Sequence, residues 1–181
     1  MYALGMIEVN SIPSGMEAGD AMLKAAEVEL VLAQVVCAGK YIVCVRGEVA
    51  AVRHAVSAGK ETANATLVDT FVIPNVHEQV VAAMNAASAI SEVAAIGILE
   101  TFSLAAAIQA ADICVKAADV SLIEVRLGRG MGGKSFVLIT GEVAAVRAAS
   151  QAAEGNEEIT GMLARTVVIP SPHPDLINAL L

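Results

Sequence analysis

Apolar positions along this chain fall into two periods. Four short, largely apolar runs predict strands: Leu4–Val9, Glu29–Val36, Tyr41–Val45, which is rich in β-formers, and Thr66–Ile73. Gly47 ends the third run and Pro74 stops the fourth. Between them the spacing lengthens to that of a helix. Ser11–Ala26 is predicted as a helix with Ile12, Met16, Leu23 and Ala26 on its apolar face. Glu48–Ala63 is predicted as a second, with Val49, Val52 and Val56 at i, i+3 and i+7. A short helix over His77–Ala87 follows.

The same pattern then runs a second time. ALGMIEVNSI from Ala3 matches AIGILETFSL from Ala95, and DAMLKAAEVEL from Asp20 matches DICVKAADVSL from Asp112. GEVAAVR recurs identically from Gly47 and Gly141, and VIP recurs from Val72 and Val168. The register between the copies widens in two steps. One small insertion falls in the glycine-rich stretch between Leu127 and Gly133, the other between Ala149 and Val167. Both are expected in loops, where a duplicated fold tolerates added residues. The reading is therefore two tandem domains, 1–91 and 92–181, each a β-α-β-β-α-β unit with a terminal helix. That order is the ferredoxin-like α+β arrangement, helices on a sheet in an α/β sandwich. The fold hosts many functions and does not choose one.

Composition narrows the class. The 181 residues are 56% hydrophobic but only 3% aromatic, so the core is built from small and branched side chains. A mean hydropathy of +0.68 is high for two small soluble domains and predicts extensive subunit contacts. Gln34, Lys40, Glu100, Gln109 and Lys116 interrupt the longest apolar stretches, so no membrane span is expected. The first residues, MYALGMIEVN, lack a basic start and a cleavage site and read as a strand, which predicts a cytoplasmic protein. A net charge of −8 without a Lys/Arg run argues against nucleic acid. Cys37, Cys44 and Cys114 form an odd set without CxxC spacing, which argues against a disulfide framework.

ALGMIEV, DAMLKAA, the GK pair before the third strand, GEVAAVR, and VIP followed closely by His occur in order and twice. Together they resemble bacterial microcompartment shell domains over nearly the whole chain. The first strand leads each copy, so the chain is similar to the unpermuted, propanediol-utilisation type of tandem shell protein. The resemblance implies a structural role and no enzyme activity. Three chains would form a homotrimeric, pseudohexameric tile with a central pore. Tiles would meet other shell proteins edge to edge around encapsulated enzymes, redox enzymes among them, inside the cytoplasm. Lys24 and Lys116 match the family's edge lysine. The family usually carries Arg just after the VIP proline, where Asn75 and Ser171 stand here. His77 and His173 occupy equivalent places after that turn and are read as structural.

In this family the loop before the GK pair faces the pore. The resemblance thus assigns Val36, Cys37, Ala38 and Gly39 from copy one to the pore, with Arg129, Gly130, Met131 and Gly132 from copy two. Symmetry would gather three Cys37 thiols. Thiolate sulfur is the preferred ligand of iron–sulfur clusters, and three thiolates at one axis repel unless a cation or cluster neutralises them. The resemblance implies one [4Fe–4S] cluster per trimer, held by Cys37 of each chain, for electron transfer or redox sensing. Two alternatives stay open: a tile whose pore is open to small metabolites, and a free-standing ferredoxin-like oligomer acting as an enzyme or signalling trimer.

Gly128–Ser135, GRGMGGKS, satisfies the GxxxxGK[ST] phosphate-loop pattern. A phosphate loop opens a helix whose N-terminal amides hold the phosphates. Here the β-rich run Phe136–Ile139 follows, so the loop is expected to join two strands. Glu8 and Glu100 recur at matching strand positions, and no Ser/His/Asp set or paired carboxylates stand out.

Overall fold

The computed structural model describes residues 2–90, 92–128 and 130–180. The first copy runs β1 (Ala3–Val9), α1 (Ile12–Ala25), β2 (Glu29–Val36), β3 (Lys40–Gly47), α2 (Val49–Ala63) and β4 (Leu67–Ile73), followed by α3 (Glu78–Met84). The second runs β5 (Ala95–Thr101), α4 (Leu104–Ala117), β6 (Ser121–Leu127), β7 (Ser135–Gly141), α5 (Val143–Glu154) and β8 (Leu163–Ile169), followed by α6 (Pro174–Leu180). Each copy forms one antiparallel four-stranded sheet, ordered β2-β3-β1-β4 and β6-β7-β5-β8. Both copies are the expected α+β unit. Among the described residues, no helix is long and apolar enough to cross a membrane.

The central strand β1 is buried along its whole length, which is why its sequence lacks alternation. Ala3, Ile7 and Val9 face the helices, where they meet Met22 of α1 and Val52, Ala55 and Val56 of α2. Ser11 starts α1 by accepting the Ser14 N–H at 3.4 Å, and Ser103 starts α4 by accepting the Ala106 N–H at 3.0 Å. Such a cap contributes about 1 kcal/mol.

The apolar face expected for the first helix is corrected in part. Its buried stripe is Gly15, Ala18, Gly19 and Met22, with Ile12 and Ala26 packed at the margins of the core. Met16 and Leu23 stand exposed instead. The reason is steric. A Cβ on Gly15 would lie 2.6 Å from the Tyr41 ring, and one on Gly19 3.1 Å from Val43. Small residues set that face down on β3, which turns the larger Met16 and Leu23 away.

Contacts divide the chain into two compact units. The first runs to Val76 and takes in Gly128–Gly133. The second begins at His77 and holds the remainder. In the second unit α3 packs on β6 and α4, elements of the second copy.

Candidate functional site

The stretch from Val36 to Gly39 turns the chain from β2 into β3. Gly39 takes φ +75°, a left-handed conformation that glycine adopts without a Cβ clash. The Cys37–Ala38 peptide is cis. Val36 is buried, Cys37 half-buried, and Ala38 and Gly39 are exposed. The 128–133 loop from the second copy lies against this turn. The Cys37 N–H donates to the Gly128 carbonyl at 2.8 Å, and the Gly130 N–H donates to Cys37 Sγ at 3.2 Å. Gly133, at φ +90°, packs so that a Cβ would lie 3.4 Å from the Cys37 carbonyl oxygen. Met131 is half-buried and Gly132 exposed. An open cleft of about 480 Å³ is lined by residues 34–39 and Gly130. Of the eight residues assigned to the pore, Val36, Cys37, Ala38, Gly39 and Gly130 line this one cleft, and Met131 and Gly132 follow in the same loop. Arg129, the eighth, lies outside the described residues.

The three cysteines are in different situations. Cys44 is fully buried on β3, and burial pushes its thiol far above the ordinary range. Cys114 is buried on α4, where desolvation pushes its pKa up to about 12. Its S–H lies 3.6 Å from the Ala149 carbonyl. Both behave as small apolar side chains. Cys37 alone has access to solvent, and its sulfur accepts an amide N–H. Hydrogen bonds of that kind tune sulfur ligands of metals. Within one chain, no group of three His, Cys, Asp or Glu among the described residues could hold a metal. The donor set fits a cluster only if each of several chains supplies one thiolate.

The GK lysines anchor these turns to the sheet. Lys40 Nζ lies 2.6 Å from Glu8 Oε1, and Lys134 Nζ lies 3.0 Å from Glu100 Oε2. The recurring glutamates are therefore ion-pair partners of the recurring lysines. The GRGMGGKS stretch runs from β6 into β7, so no helix N-terminus follows it.

The edge candidates Asn75, Ser171, Lys24 and Lys116 all lie at the surface. Lys24 pairs with Asp20 one helical turn away at 2.6 Å, and both are exposed. Lys116 pairs with Asp112 at 2.5 Å, and that carboxylate also accepts the His77 N–H at 2.8 Å. The two histidines cap helices. His77 Nδ1 accepts the Gln79 N–H at 3.4 Å, and His173 Nδ1 accepts the Asp175 N–H at 3.2 Å. Sequence reasoning missed the Gly130 donor, which sits in the other copy with no local pattern to mark it. It also missed Asp112 as the anchor for His77, although Asp20 and Asp112 recur in the repeat.

Comparison with known proteins agrees with this architecture. The BMC domain matches residues 3–76 and again 95–172. The chain belongs to the BMC domain family. It is a tandem BMC protein, and several of its relatives are named as shell proteins. It is 41% identical to the bacterial microcompartment shell protein PduT of Citrobacter freundii, over 96% of this chain and 95% of that one. The shell protein EutM of Salmonella typhimurium is 42% identical over 45% of this chain and 83% of its own length. A crystal structure of a microcompartment protein from Desulfitobacterium hafniense DCB superposes with a TM-score of 0.90. It is 50% identical and covers 98% of this chain and 99% of that one. As a BMC-domain shell protein, the chain has a structural role.

Proposed function

We propose that three copies of this chain form a pseudohexameric tile of a microcompartment shell, with the Cys37 turns gathered at its central pore. Six BMC modules fill the ring in alternation, so the Cys37 turn and the longer 128–133 loop alternate around the axis. The observation that carries this reading is the divergence of the two copies. They share scaffold motifs and part company at the pore loops, where the chain's one solvent-accessible thiol stands.

Cys37 of each chain then holds one [4Fe–4S] cluster, which supplies one-electron redox chemistry when bound. Around it the chain's own groups do the rest. Gly130 donates its N–H to the ligating sulfur, and the Lys40–Glu8 pair fixes the turn to β1. A tile of this kind passes electrons across the shell or senses redox state. It meets other shell proteins edge to edge through the surface that carries Lys24, Asn75, Lys116 and Ser171, and it serves redox enzymes enclosed in the compartment.

Purification without oxygen tests the reading. The expected result is a brown protein with about four irons per trimer and an EPR signal on reduction, lost in Cys37→Ser while hexagonal sheets persist in negative-stain micrographs. A colourless wild type under reconstituting conditions, in sheets of the same lattice, would leave a tile with an open metabolite pore. Soluble monomers with no lattice would remove the tile itself.

A further inference from the structure

Two insertions separate the copies of the repeat, and the 128–133 loop accounts for only one. The other lies just after α5. In the first copy α2 runs to Ala63, and a 3₁₀ turn over Asn64–Thr66 leads straight into β4. In the second copy α5 stops at Glu154, and residues 155–162 make a longer turn before β8. That turn is firmly built. Asn156 Oδ1 accepts the Glu158 N–H, and the Asn156 carbonyl accepts the Thr160 hydroxyl, both at 2.9 Å. Ile159 is fully buried where the turn packs on α4. The Met162 N–H then donates to the Ile159 carbonyl at 3.0 Å.

The anchored turn presents Met162 beside Phe102. The Phe102 N–H donates to the Met162 carbonyl at 2.8 Å, repeating the bond from Asn10 to Thr66 at 2.9 Å in the first copy. The backbone bond is shared and the side chains are not. Two polar residues of the first copy give way to two apolar ones, and both face water: Phe102 is 54% exposed and Met162 41%. Single exposed apolar residues are ordinary, whereas adjacent ones held out by a fixed turn mark an interaction surface. Glu154, Glu157 and Glu158 are exposed along the same turn, and the stretch 148–164 contains no Lys, Arg or His.

We propose that Phe102 and Met162 form a docking point for a partner protein, through an amphipathic segment that carries an apolar side chain flanked by lysine or arginine. The apolar group covers the Phe102 ring and the Met162 thioether, whose flexible chain adapts to its shape. The basic flank meets Glu157 and Glu158, which steers the encounter and fixes its orientation. The first copy, with Asn10 and Thr66, lacks the apolar pair. Where three chains form a tile the point recurs threefold, and a partner with several such segments gains avidity. The docking point needs neither the cluster nor an open pore.

A fluorescent synthetic helix with a leucine stripe and lysine flanks serves as the probe, titrated against the purified protein by anisotropy. Phe102→Asn with Met162→Thr installs the first copy's own residues, which the shared backbone bond accommodates, and leaves the charge unchanged. It is expected to weaken binding about tenfold, with unchanged circular dichroism and light scattering. Glu157→Gln with Glu158→Gln is expected to weaken binding at low salt and to flatten its salt dependence. Val68→Thr, at an apolar residue exposed on β4 of the first copy, is expected to change nothing. Equal affinity of the wild type and the Phe102/Met162 variant would overturn the docking point, as would an equal loss in Val68→Thr. A smaller mass for the Phe102/Met162 variant by light scattering would assign the pair to contact between copies of this chain and overturn it as well.

Discussion

Lys40 Nζ approaches Glu8 Oε1 to 2.6 Å, and the Glu8 side chain has no surface open to solvent. The equivalent pair, Lys134 and Glu100, is looser at 3.0 Å, and Glu100 is 40% exposed. One repeated motif therefore yields two pairs of very different worth. A hydrogen bond from a charged donor to a buried carboxylate contributes about 1.5–3 kcal/mol. An exposed pair contributes about 0–1 kcal/mol. Lys40→Met is expected to lower the denaturation midpoint markedly, and Lys134→Met hardly at all. Equal shifts in urea titrations of the two variants would contradict the assignment.

Thiol accessibility should separate the cysteines in the native protein. A maleimide at neutral pH is expected to modify Cys37 in the cluster-free chain, with Cys44 and Cys114 reacting only after unfolding. Mass spectrometry of the labelled peptides reads this directly.

Burial of Cys114 also has a consequence at alkaline pH. Its folded pKa, about 12, lies above the ordinary 9.0. The unfolded chain therefore loses this proton first, and stability falls as pH rises through that window, by about 1.4 kcal/mol per pH unit per thiol. The contribution is complete below pH 9 and gone above pH 12. Cys114→Ala is expected to flatten the loss between those limits. Parallel alkaline profiles for the wild type and the variant would refute it.

Close packing makes two glycines intolerant of a methyl group. A Cβ on Gly5 would lie 2.6 Å from both Val52 and Val56, and one on Gly97 would lie 2.6 Å from Ile139. Gly5→Ala and Gly97→Ala are each expected to cost about 1–3 kcal/mol, read as a lower melting temperature with the oligomeric state retained. A neutral effect would mean that α2 and α5 can lift from the sheet at no cost.

The edge lysines allow a sharper separation of folding from assembly. Lys24 and Asp20 are both exposed, so Lys24→Ala should change stability by no more than about 0.5 kcal/mol. If Lys24 serves the tile edge, the same substitution abolishes sheets in electron micrographs while the purified oligomer stays intact. Asp112→Ala behaves differently, because that carboxylate holds both Lys116 and the His77 N–H. Hydrogen bonds to charged groups contribute about 1.5–3 kcal/mol, so thermal unfolding is expected to register its loss.

The strands and helices were legible because their signals are local. Val52 and Val56 bury where their spacing placed them, and β2 runs from Glu29 to Val36 as the apolar run does. The fourth strand starts one residue later than predicted, since Asn64–Thr66 forms a 3₁₀ turn. The face of α1 was misread because Met16 and Leu23 outweigh glycines in any apolar count, while glycines alone permit the approach to Tyr41 and Val43. The buried state of Glu8 and the open state of Glu100 could not be told apart, because the two hold the same position in the repeat and differ in what packs over them. The place of α3 was equally hidden. Its docking on β6 and α4 is a contact between segments far apart in sequence, and no periodicity encodes it.

Cys37 and the Gly130 amide that donates to it lie 93 residues apart, one in each copy of the repeat. A gene whose halves still share an identical heptapeptide is open to conversion of one half by the other. Such an event would leave the strands, helices and ion-pair motifs as they are. It would, however, erase either the sulfur or the loop that greets it. The two halves are therefore complementary parts, and neither can serve as a spare for its twin.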